Sequence, residues 1–253
     1  MSTVTETTIV IAGHRVRAVQ GGQGPTLLFL HGMGGLRPDA PFLQGLARRF
    51  RVVAPEHPGF GDTEALPWIE TVADLAVYYR QLLRETMAGD GVHLVGHSLG
   101  GWLAAEVAFG NPDLVLRLVL SAPAGLRGAQ PAVDPFVLDE EELMATAVAD
   151  PSSAPPAPDP TDLRTIRNRQ MVARLAWSPR FFDPKLPMKL QQLHIPTLLL
   201  WGEQDPIVPP DRAAAFQQYL PDSRLVTLPD CGHLPTIEQP DAYVDAVTGF
   251  LAG

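Results

Sequence analysis

A serine, an aspartate and a histidine of this chain stand in short glycine-containing segments, and together they could carry out nucleophilic catalysis. Ser98 lies between two glycines in the pattern Gly96-x-Ser98-x-Gly100, Asp205 follows a glycine by three residues, and His233 follows a glycine directly. A serine hydroxyl is a weak nucleophile near neutral pH, so it needs a base, normally a histidine that a buried carboxylate orients. The sequence predicts Ser98 as nucleophile, His233 as base and Asp205 as the orienting acid.

The residues around Ser98 predict a strand that turns directly into a helix. An apolar run begins at Val92 and breaks at Gly96, and an alanine-rich helical segment continues through Phe109. Such a turn holds its middle residue at positive φ and needs small neighbours. It also places the serine at a helix N-terminus, where backbone N–H groups favour a developing negative charge. The Gly-x-Ser-x-Gly pattern alone is weak evidence, and this context makes Ser98 a candidate nucleophile.

Two other acidic residues compete with Asp205. Glu203 lies two residues earlier in the same loop, but the Gly-x-x-Asp placement favours Asp205. Asp230 is so close to His233 in sequence that it could not easily orient the imidazole, so we interpret it as an ordinary loop residue.

Other potentially reactive side chains are predicted to have structural roles. His31 and His97 flank the turns around the site, and we expect each to hydrogen-bond to loop backbone rather than transfer protons. His57 lies in a proline-rich loop and is expected to brace it. Cys231, the single cysteine, is expected to be a small, semi-buried residue without thiol chemistry.

The elements that must position these residues alternate between strands and helices in most of the chain. This alternation indicates a largely parallel sheet with helices on both faces. The predicted strands are 8–12 and 15–19 as a hairpin, then 26–30, 51–54, the run from Val92, 114–120, 195–201 and 223–228. The predicted helices are 39–49, 71–87, the segment through Phe109, 211–220 and 242–251.

The alternation stops between about residues 123 and 187. Helices are expected at 139–148 and 161–177, and the proline-rich stretch 151–160 is expected to be a linker without regular structure. We therefore predict a core domain of residues 1–122 and 188–253 and an inserted helical cap of residues 123–187, whose apolar face covers Ser98. The predicted pocket residues are Phe136, Met144, Trp177 and Phe181 of the cap, with Trp102 from the helix after Ser98.

Composition narrows the class of protein. The 253 residues carry a formal net charge of −9 with no basic stripe, which argues against nucleic acid or an anionic membrane as partner. One cysteine, the absence of a secretory signal in residues 1–8 and the lack of a long apolar run predict a cytoplasmic protein without membrane contact. No metal-ligand spacing or phosphate-binding glycine loop is present, so no metal and no cofactor is expected.

Four short motifs in a fixed order make the chain resemble the α/β-hydrolase superfamily, in the branch with a helical cap after the sixth strand. They are His31-Gly32, the run from Gly96 to Gly101, Gly202-Glu203-Gln204-Asp205 and Gly232-His233. The resemblance implies the α/β-hydrolase fold: a mostly parallel eight-stranded sheet, helices on both faces and an inserted helical cap. It also implies the nucleophile–acid–base order found here, and an oxyanion hole formed by the backbone N–H groups of Met33 and Leu99.

The first hypothesis for the activity is hydrolysis of carboxylic esters through an acyl-enzyme, and the apolar residues of the predicted cap suggest a small-to-medium, largely hydrophobic substrate. Carbon–carbon bond hydrolysis, as in the meta-cleavage product hydrolases, is an alternative. That family commonly has asparagine at the position of His97 and tryptophan at the position of Leu234. Haloalkane dehalogenases and epoxide hydrolases have an aspartate where Ser98 stands. A ligand-binding protein that has kept a hydrolase scaffold is the non-enzymatic alternative.

Overall fold

An eight-stranded sheet forms the centre of the molecule. The computed structural model describes residues 3–86 and 91–253. The strand order is β1-β2-β4-β3-β5-β6-β7-β8, in which β1 and β2 pair antiparallel, β2 pairs antiparallel with β4, and the other neighbours are parallel. The strands are β1 (Val4–Ile11), β2 (His14–Gly21), β3 (Thr26–Leu30), β4 (Arg51–Pro55), β5 (Val92–His97), β6 (Val115–Ser121), β7 (Thr197–Gly202) and β8 (Ser223–Leu228).

Helices cover both faces of this sheet. In β3 the side chains of Leu28 and Leu30 join one apolar cluster, and those of Leu27 and Phe29 join the other, as the two-residue repeat of a strand requires. The helices are α1 (Pro41–Leu46), α2 (Val72–Thr86), α3 (Leu99–Gly110), α4 (Glu140–Thr146), α5 (Leu163–Ala176), α6 (Leu186–Leu190), α7 (Asp211–Tyr219), α8 (Pro235–Glu238) and α9 (Pro240–Ala252). The predicted fold class is confirmed.

Several predicted helices differ from the observed ones at their ends, α1 and α2 among them. The helix predicted at 39–49 is the shorter α1, which begins at Pro41, a first-turn position where a missing N–H costs nothing, and ends at Leu46. The helix predicted at 71–87 is α2, whose predicted last residue, Met87, lies outside the described residues.

The connection between β6 and β7, residues 122–196, contains the helices α4, α5 and α6 joined by irregular segments, and its one β pairing is an isolated bridge between Gly125 and Phe182. The expectation that residues 151–160 have no regular structure is wrong in part, because Pro151–Ser153 form a 3₁₀ turn. Asp150 caps this turn by accepting the Ser152 N–H at 2.9 Å, and Pro151 occupies a first position that needs no donor.

Helix α6 was not expected, and it runs across the predicted cap boundary at 187 and 188. It packs against α3 and α7, so its residues lie with the helices that cover the sheet. The division of the chain at 123 and 187 stays a prediction.

The carboxyl ends of the parallel strands place the predicted site residues at one edge of the sheet. β3 leads into the loop that contains Met33, β5 into Ser98, β7 into the loop of Asp205, and β8 into the loop of His233. No helix in residues 3–86 or 91–253 has the length and hydropathy needed to span a membrane.

Candidate active site

Ser98 occupies a strained turn between β5 and α3. Its φ is 56° and its ψ is −119°, the positive φ that the sequence predicts. A Cβ on Gly96 would overlap the Gly100 carbonyl, and a Cβ on Gly100 would overlap the Leu30 carbonyl. Glycine at these two positions therefore allows the strand and helix to approach closely enough to form the turn.

Ser98, His233 and Asp205 form a continuous hydrogen-bonded chain. The Ser98 Oγ lies 2.9 Å from His233 Nε2, and His233 Nδ1 lies 2.7 Å from Asp205 Oδ2. All three residues are buried. Because a carboxylate can only accept, it holds the proton on Nδ1 and leaves the Nε2 lone pair directed at the serine hydroxyl. This is the geometry that removal of the serine proton requires.

Two backbone donors fix the Asp205 carboxylate. Its Oδ1 accepts the N–H groups of Ile207 at 2.9 Å and Val208 at 2.8 Å, which leaves Oδ2 for the imidazole. The competing acids, Glu203 and Asp230, are both exposed. Asp205 is the acid that the structure brings to His233.

The backbone of the His233 loop is held by a glutamate that the sequence interpretation missed. Glu238, at the end of α8, accepts the N–H of Gly232 at 2.9 Å and that of Leu234 at 3.1 Å. The same carboxylate accepts the N–H of Ala149 from the β6–β7 connection at 2.8 Å. The sequence signal that could have indicated this role is an acidic residue five positions after His233, in a short segment that begins with proline.

The β6–β7 connection also contacts the His233 backbone directly. The His233 N–H donates to the carbonyl of Ala147, just after α4, at 2.7 Å. The imidazole therefore extends from a backbone segment that both Glu238 and the connection hold in place.

The predicted oxyanion donors belong to two segments next to Ser98. Met33 lies in the loop after β3, and Leu99 is the first residue of α3. A Cβ built on the neighbouring Gly32 would lie 3.3 Å from the Ser98 Cβ, so the loop and the serine are in close contact. Neither the Met33 N–H nor the Leu99 N–H donates to another group of the described chain.

Three buried histidines near the site stay uncharged. Burial, with a contribution from the nearby His233, lowers the pKa of His97 to about 3, and burial lowers the pKa of His31 to about 4. The pKa of His57 is well below its ordinary value, also because of burial. His57 Nε2 lies 2.9 Å from the His31 carbonyl and His57 Nδ1 lies 2.6 Å from the Tyr79 hydroxyl, consistent with the expected bracing role.

The environment of Cys231 does not favour thiol chemistry. The residue is fully buried rather than semi-buried, and burial together with the charge of Glu238 raises the pKa of the thiol to about 12. The thiol therefore stays protonated and a poor nucleophile near neutral pH. In the described part of the chain, no cluster of three or more His, Cys, Asp or Glu residues could hold a metal ion.

A cavity of about 460 Å³ lies over Ser98 and His233. Its lining includes apolar side chains of the β6–β7 connection, among them Leu143, Met144 and Val172. Most of the lining surface is apolar. The site is therefore suited to an apolar small molecule.

Of the predicted pocket residues, Met144 lines this cavity and the other four do not. Phe136 packs against Phe181, at 5.2 Å between ring centroids, and against Trp177, at 5.1 Å. Trp177 is 54% exposed and stacks with Arg180, whereas Trp102 is buried beside Gly125. The pocket assignment of Phe136, Trp177, Phe181 and Trp102 is corrected accordingly, because apolar character indicated burial but not the surface that each side chain faces.

Three arginines that line the cavity already have carboxylate partners. Arg169 Nε lies 2.5 Å from Glu140 Oε1, and Arg164 Nη2 lies 2.5 Å from Asp62 Oδ2. Arg17 pairs with two glutamates. Their charges are thus largely neutralised within the protein.

The comparison with known proteins agrees with the fold. The sequence profile described as the Alpha/beta hydrolase family matches residues 27–246. The chain belongs to this family and is a hydrolase.

Individual relatives are similar along almost the whole chain. A 2-hydroxy-6-oxo-6-(2'-aminophenyl)hexa-2,4-dienoic acid hydrolase of Metapseudomonas resinovorans is 28% identical over 274 residues, covering 99% of this chain and 92% of the relative. A pimeloyl-(acyl-carrier protein) methyl ester esterase of Aeromonas hydrophila subsp. hydrophila is 28% identical over 265 residues, covering 91% and 96%. The crystal structure of a serine hydrolase involved in carbazole degradation, the CarC enzyme, is 25% identical with a TM-score of 0.80, covering 99% of each chain.

Proposed function

We propose that this protein is a serine hydrolase that cleaves carboxylic esters of small-to-medium, largely apolar substrates through an acyl-enzyme. The observation that carries the proposal is the hydrogen-bonded chain from Asp205 through His233 to Ser98 beside an apolar cavity. The similarity to a methyl ester esterase supports the ester class.

In the acylation step, the Ser98 Oγ attacks the acyl carbon while His233 Nε2 takes the hydroxyl proton. Asp205 stabilises the imidazolium that forms. The N–H groups of Met33 and Leu99 donate to the oxyanion of the tetrahedral intermediate, and loss of one such donor typically lowers kcat by about 10²–10³. His233 then protonates the leaving alcohol, and in the second half of the reaction it activates the water that releases the acid.

The neighbouring His97 favours this proton transfer by staying neutral. Its ring centroid lies 5.0 Å from that of His233, and its pKa is lowered to about 3, first by burial and then by His233. A cation at this distance would oppose formation of the His233 imidazolium. An uncharged His97 leaves the base free to take the proton.

The form of the cavity supports an uncharged acyl group. A volume of about 460 Å³ accommodates a small organic molecule, and three of the four arginines that line the cavity are paired with carboxylates. In this proposal residues 123–187 act as a cap over Ser98. The protein acts in the cytoplasm on a small-molecule ester, without cofactor, nucleic acid or membrane.

A panel of p-nitrophenyl esters graded in acyl length tests the proposal. We expect turnover that is highest for short-to-medium acyl chains and is abolished in Ser98→Ala. Full activity in Ser98→Ala would refute the nucleophile assignment. Absence of turnover on every ester would refute the ester class. If carbon–carbon bond cleavage were absent as well, the ligand-binding alternative would be favoured.

Carbon–carbon bond hydrolysis is the second candidate, because the relative from Metapseudomonas resinovorans is a dienoic acid hydrolase. Such a substrate carries a carboxylate, which needs a cation in the cavity. Within the described residues, Arg37 is an exposed arginine that lines the cavity and has no carboxylate partner. The test is the absorbance decay of a 2-hydroxy-6-oxo-6-arylhexa-2,4-dienoate. A kcat/KM well above that of every ester, and reduced in Arg37→Gln, would replace the ester proposal with this one.

A further inference from the structure

Asn168, on α5 of the β6–β7 connection, hydrogen-bonds to the backbone of two core loops. Its Nδ2 donates to the Gly34 carbonyl at 3.2 Å, and its Oδ1 accepts the Gly61 N–H at 2.8 Å. The partners require a donor on one side and an acceptor on the other, which fixes the orientation of the side-chain amide. Asn168 also lines the cavity over Ser98.

The Gly34 carbonyl belongs to a peptide group that closes the turn containing Met33. The N–H of this same peptide, on Gly35, donates to the Gly32 carbonyl at 3.2 Å. Because the C=O and N–H of a trans peptide point in opposite directions, a hydrogen bond to the C=O also constrains the direction of the N–H. Asn168 thus holds one end of the peptide that closes the turn.

The Gly32 carbonyl in turn shares a peptide group with the Met33 N–H. This carbonyl accepts the Gly35 N–H and lies 2.8 Å from His31 Nδ1. His31 Nε2 accepts the N–H of His57 at 3.0 Å, so the ring proton is on Nδ1 and is donated to Gly32. Because two donors fix the direction of the Gly32 carbonyl, the Met33 N–H of the same planar peptide points in the opposite direction.

The turn has little rigidity of its own. Gly34 and Gly35 are both without side chains, and Gly35 has a φ of 83°, where glycine is permissive. A Cβ on Gly35 would lie 2.7 Å from Asn168 Nδ2, so α5 packs directly on this peptide. The conformation therefore depends on contacts from outside the turn.

We propose that Asn168 is a positioning residue that couples the seating of α5 over the cavity to the orientation of the Met33 N–H in the oxyanion hole. The coupling passes through the peptides 34–35 and 32–33. The inference rests on the proposed function, in which the Met33 N–H is an oxyanion donor. When α5 moves away from the cavity, the Gly34 carbonyl loses the hydrogen bond from Asn168. The turn that contains Met33 is then less constrained.

Other contacts hold α5 on the core independently of Asn168. Arg167 Nη1 donates to the Gly61 carbonyl at 3.1 Å, and Arg164 pairs with Asp62. Val172 is buried farther along the helix. A change at Asn168 therefore leaves α5 in place and the variants folded.

Three variants separate positioning from simple attachment of α5. Asn168→Asp keeps an acceptor for Gly61 but sets a carboxylate oxygen against the Gly34 carbonyl. Asn168→Ala removes both bonds, and Gln170→Ala, at an exposed position of the same helix, is the matched control. For each we would measure kcat and KM on the best ester, Ki for a trifluoromethyl ketone, which forms an oxyanion on Ser98, and Tm.

We expect both Asn168 variants to lower kcat and trifluoromethyl ketone affinity by about 10-fold, less than the loss of a whole donor, with KM changed less than about 2-fold. Gln170→Ala should match wild type. In protein with ¹⁵N-labelled methionine, the Met33 amide resonance should shift in Asn168→Asp.

Variants that lower only Tm, with kcat and inhibitor affinity unchanged, would overturn the inference and leave Asn168 as an attachment point. An unshifted Met33 resonance with wild-type kcat would do the same. If wild type itself neither turns over esters nor binds the ketone, the proposed function fails first, and the inference fails with it.

Discussion

Glu238 offers a quantitative test of how the His233 loop is held. Its carboxylate accepts backbone N–H groups from Gly232, Leu234 and Ala149, and the residue is half-buried. If each bond contributes about 1 kcal/mol net, Glu238→Ala lowers the free energy of unfolding by about 3 kcal/mol. For a chain of this size that corresponds to a Tm about 6–12 °C lower.

Glu238→Gln keeps the shape of the side chain but removes its charge and one of its two acceptor oxygens. It therefore separates the contribution of the hydrogen bonds from that of packing. Glutamine has one oxygen, so it keeps either the bond to Ala149 or the bond to Leu234 and loses the other, which costs about 1 kcal/mol. We also expect kcat to fall by about 10-fold or more in Glu238→Ala, because an imidazole displaced from Ser98 loses its alignment. KM should change little.

Urea unfolding, thermal unfolding and steady-state ester kinetics would be measured together for both variants. Glu203→Gln, an exposed acid near the same sheet edge, is the control and should change stability by less than about 0.5 kcal/mol. Wild-type stability and kcat in Glu238→Ala would refute the view that this carboxylate holds the loop.

Three further outcomes follow from the site. Burial lowers the pKa of His97 to about 3, so below pH 6.5 the unfolded chain takes up a proton that the folded protein does not. The free energy of unfolding therefore decreases as the pH decreases. The contribution is about 2 kcal/mol between pH 6.5 and 5, so Tm should fall less steeply over this range in His97→Gln than in wild type or in the exposed control His194→Gln. Met144→Trp should shift the preferred acyl chain to shorter lengths, because Met144 lines the cavity, whereas Trp177→Ala should leave the ester profile unchanged. A changed profile in Trp177→Ala with an unchanged one in Met144→Trp would show that Trp177, and not Met144, lines the pocket. Asp205→Asn should lower kcat by about 10⁴ with wild-type Tm within a few degrees, since an amide no longer enforces the required imidazole tautomer; a loss below 10-fold would contradict its role.

The sheet and the Ser98 turn were predictable because their determinants are local in sequence. The apolar runs of β3 and β7 are short and bounded by glycine or proline, and Gly96 reflects backbone crowding against Gly100 within the same turn. Once these runs are read as parallel strands, the loops of Asp205 and His233 are expected at the same edge of the sheet, where the structure has them.

The contacts that hold the site were not predictable in the same way. Asn168 bonds to backbone atoms of Gly34 and Gly61, more than 100 residues away in sequence, and backbone partners leave no side-chain signal. Phe136 and Trp177 are apolar residues of the β6–β7 connection, and composition does not indicate whether such a side chain faces the cavity or a neighbouring aromatic ring.

Pro151 illustrates a different kind of error. A proline-rich stretch predicts irregular structure, yet the first position of a helical turn needs no N–H, and Asp150 supplies the cap. The rule applies to the interior of a helix and not to its start.

The most direct test of the central claim is covalent labelling of Ser98 by a fluorophosphonate, followed by intact mass and peptide mass spectrometry. The account predicts one phosphonate per chain, located on Ser98, with loss of ester hydrolysis in proportion to labelling and no labelling in Ser98→Ala. Labelling at another residue, or full ester hydrolysis by quantitatively labelled protein, would contradict it.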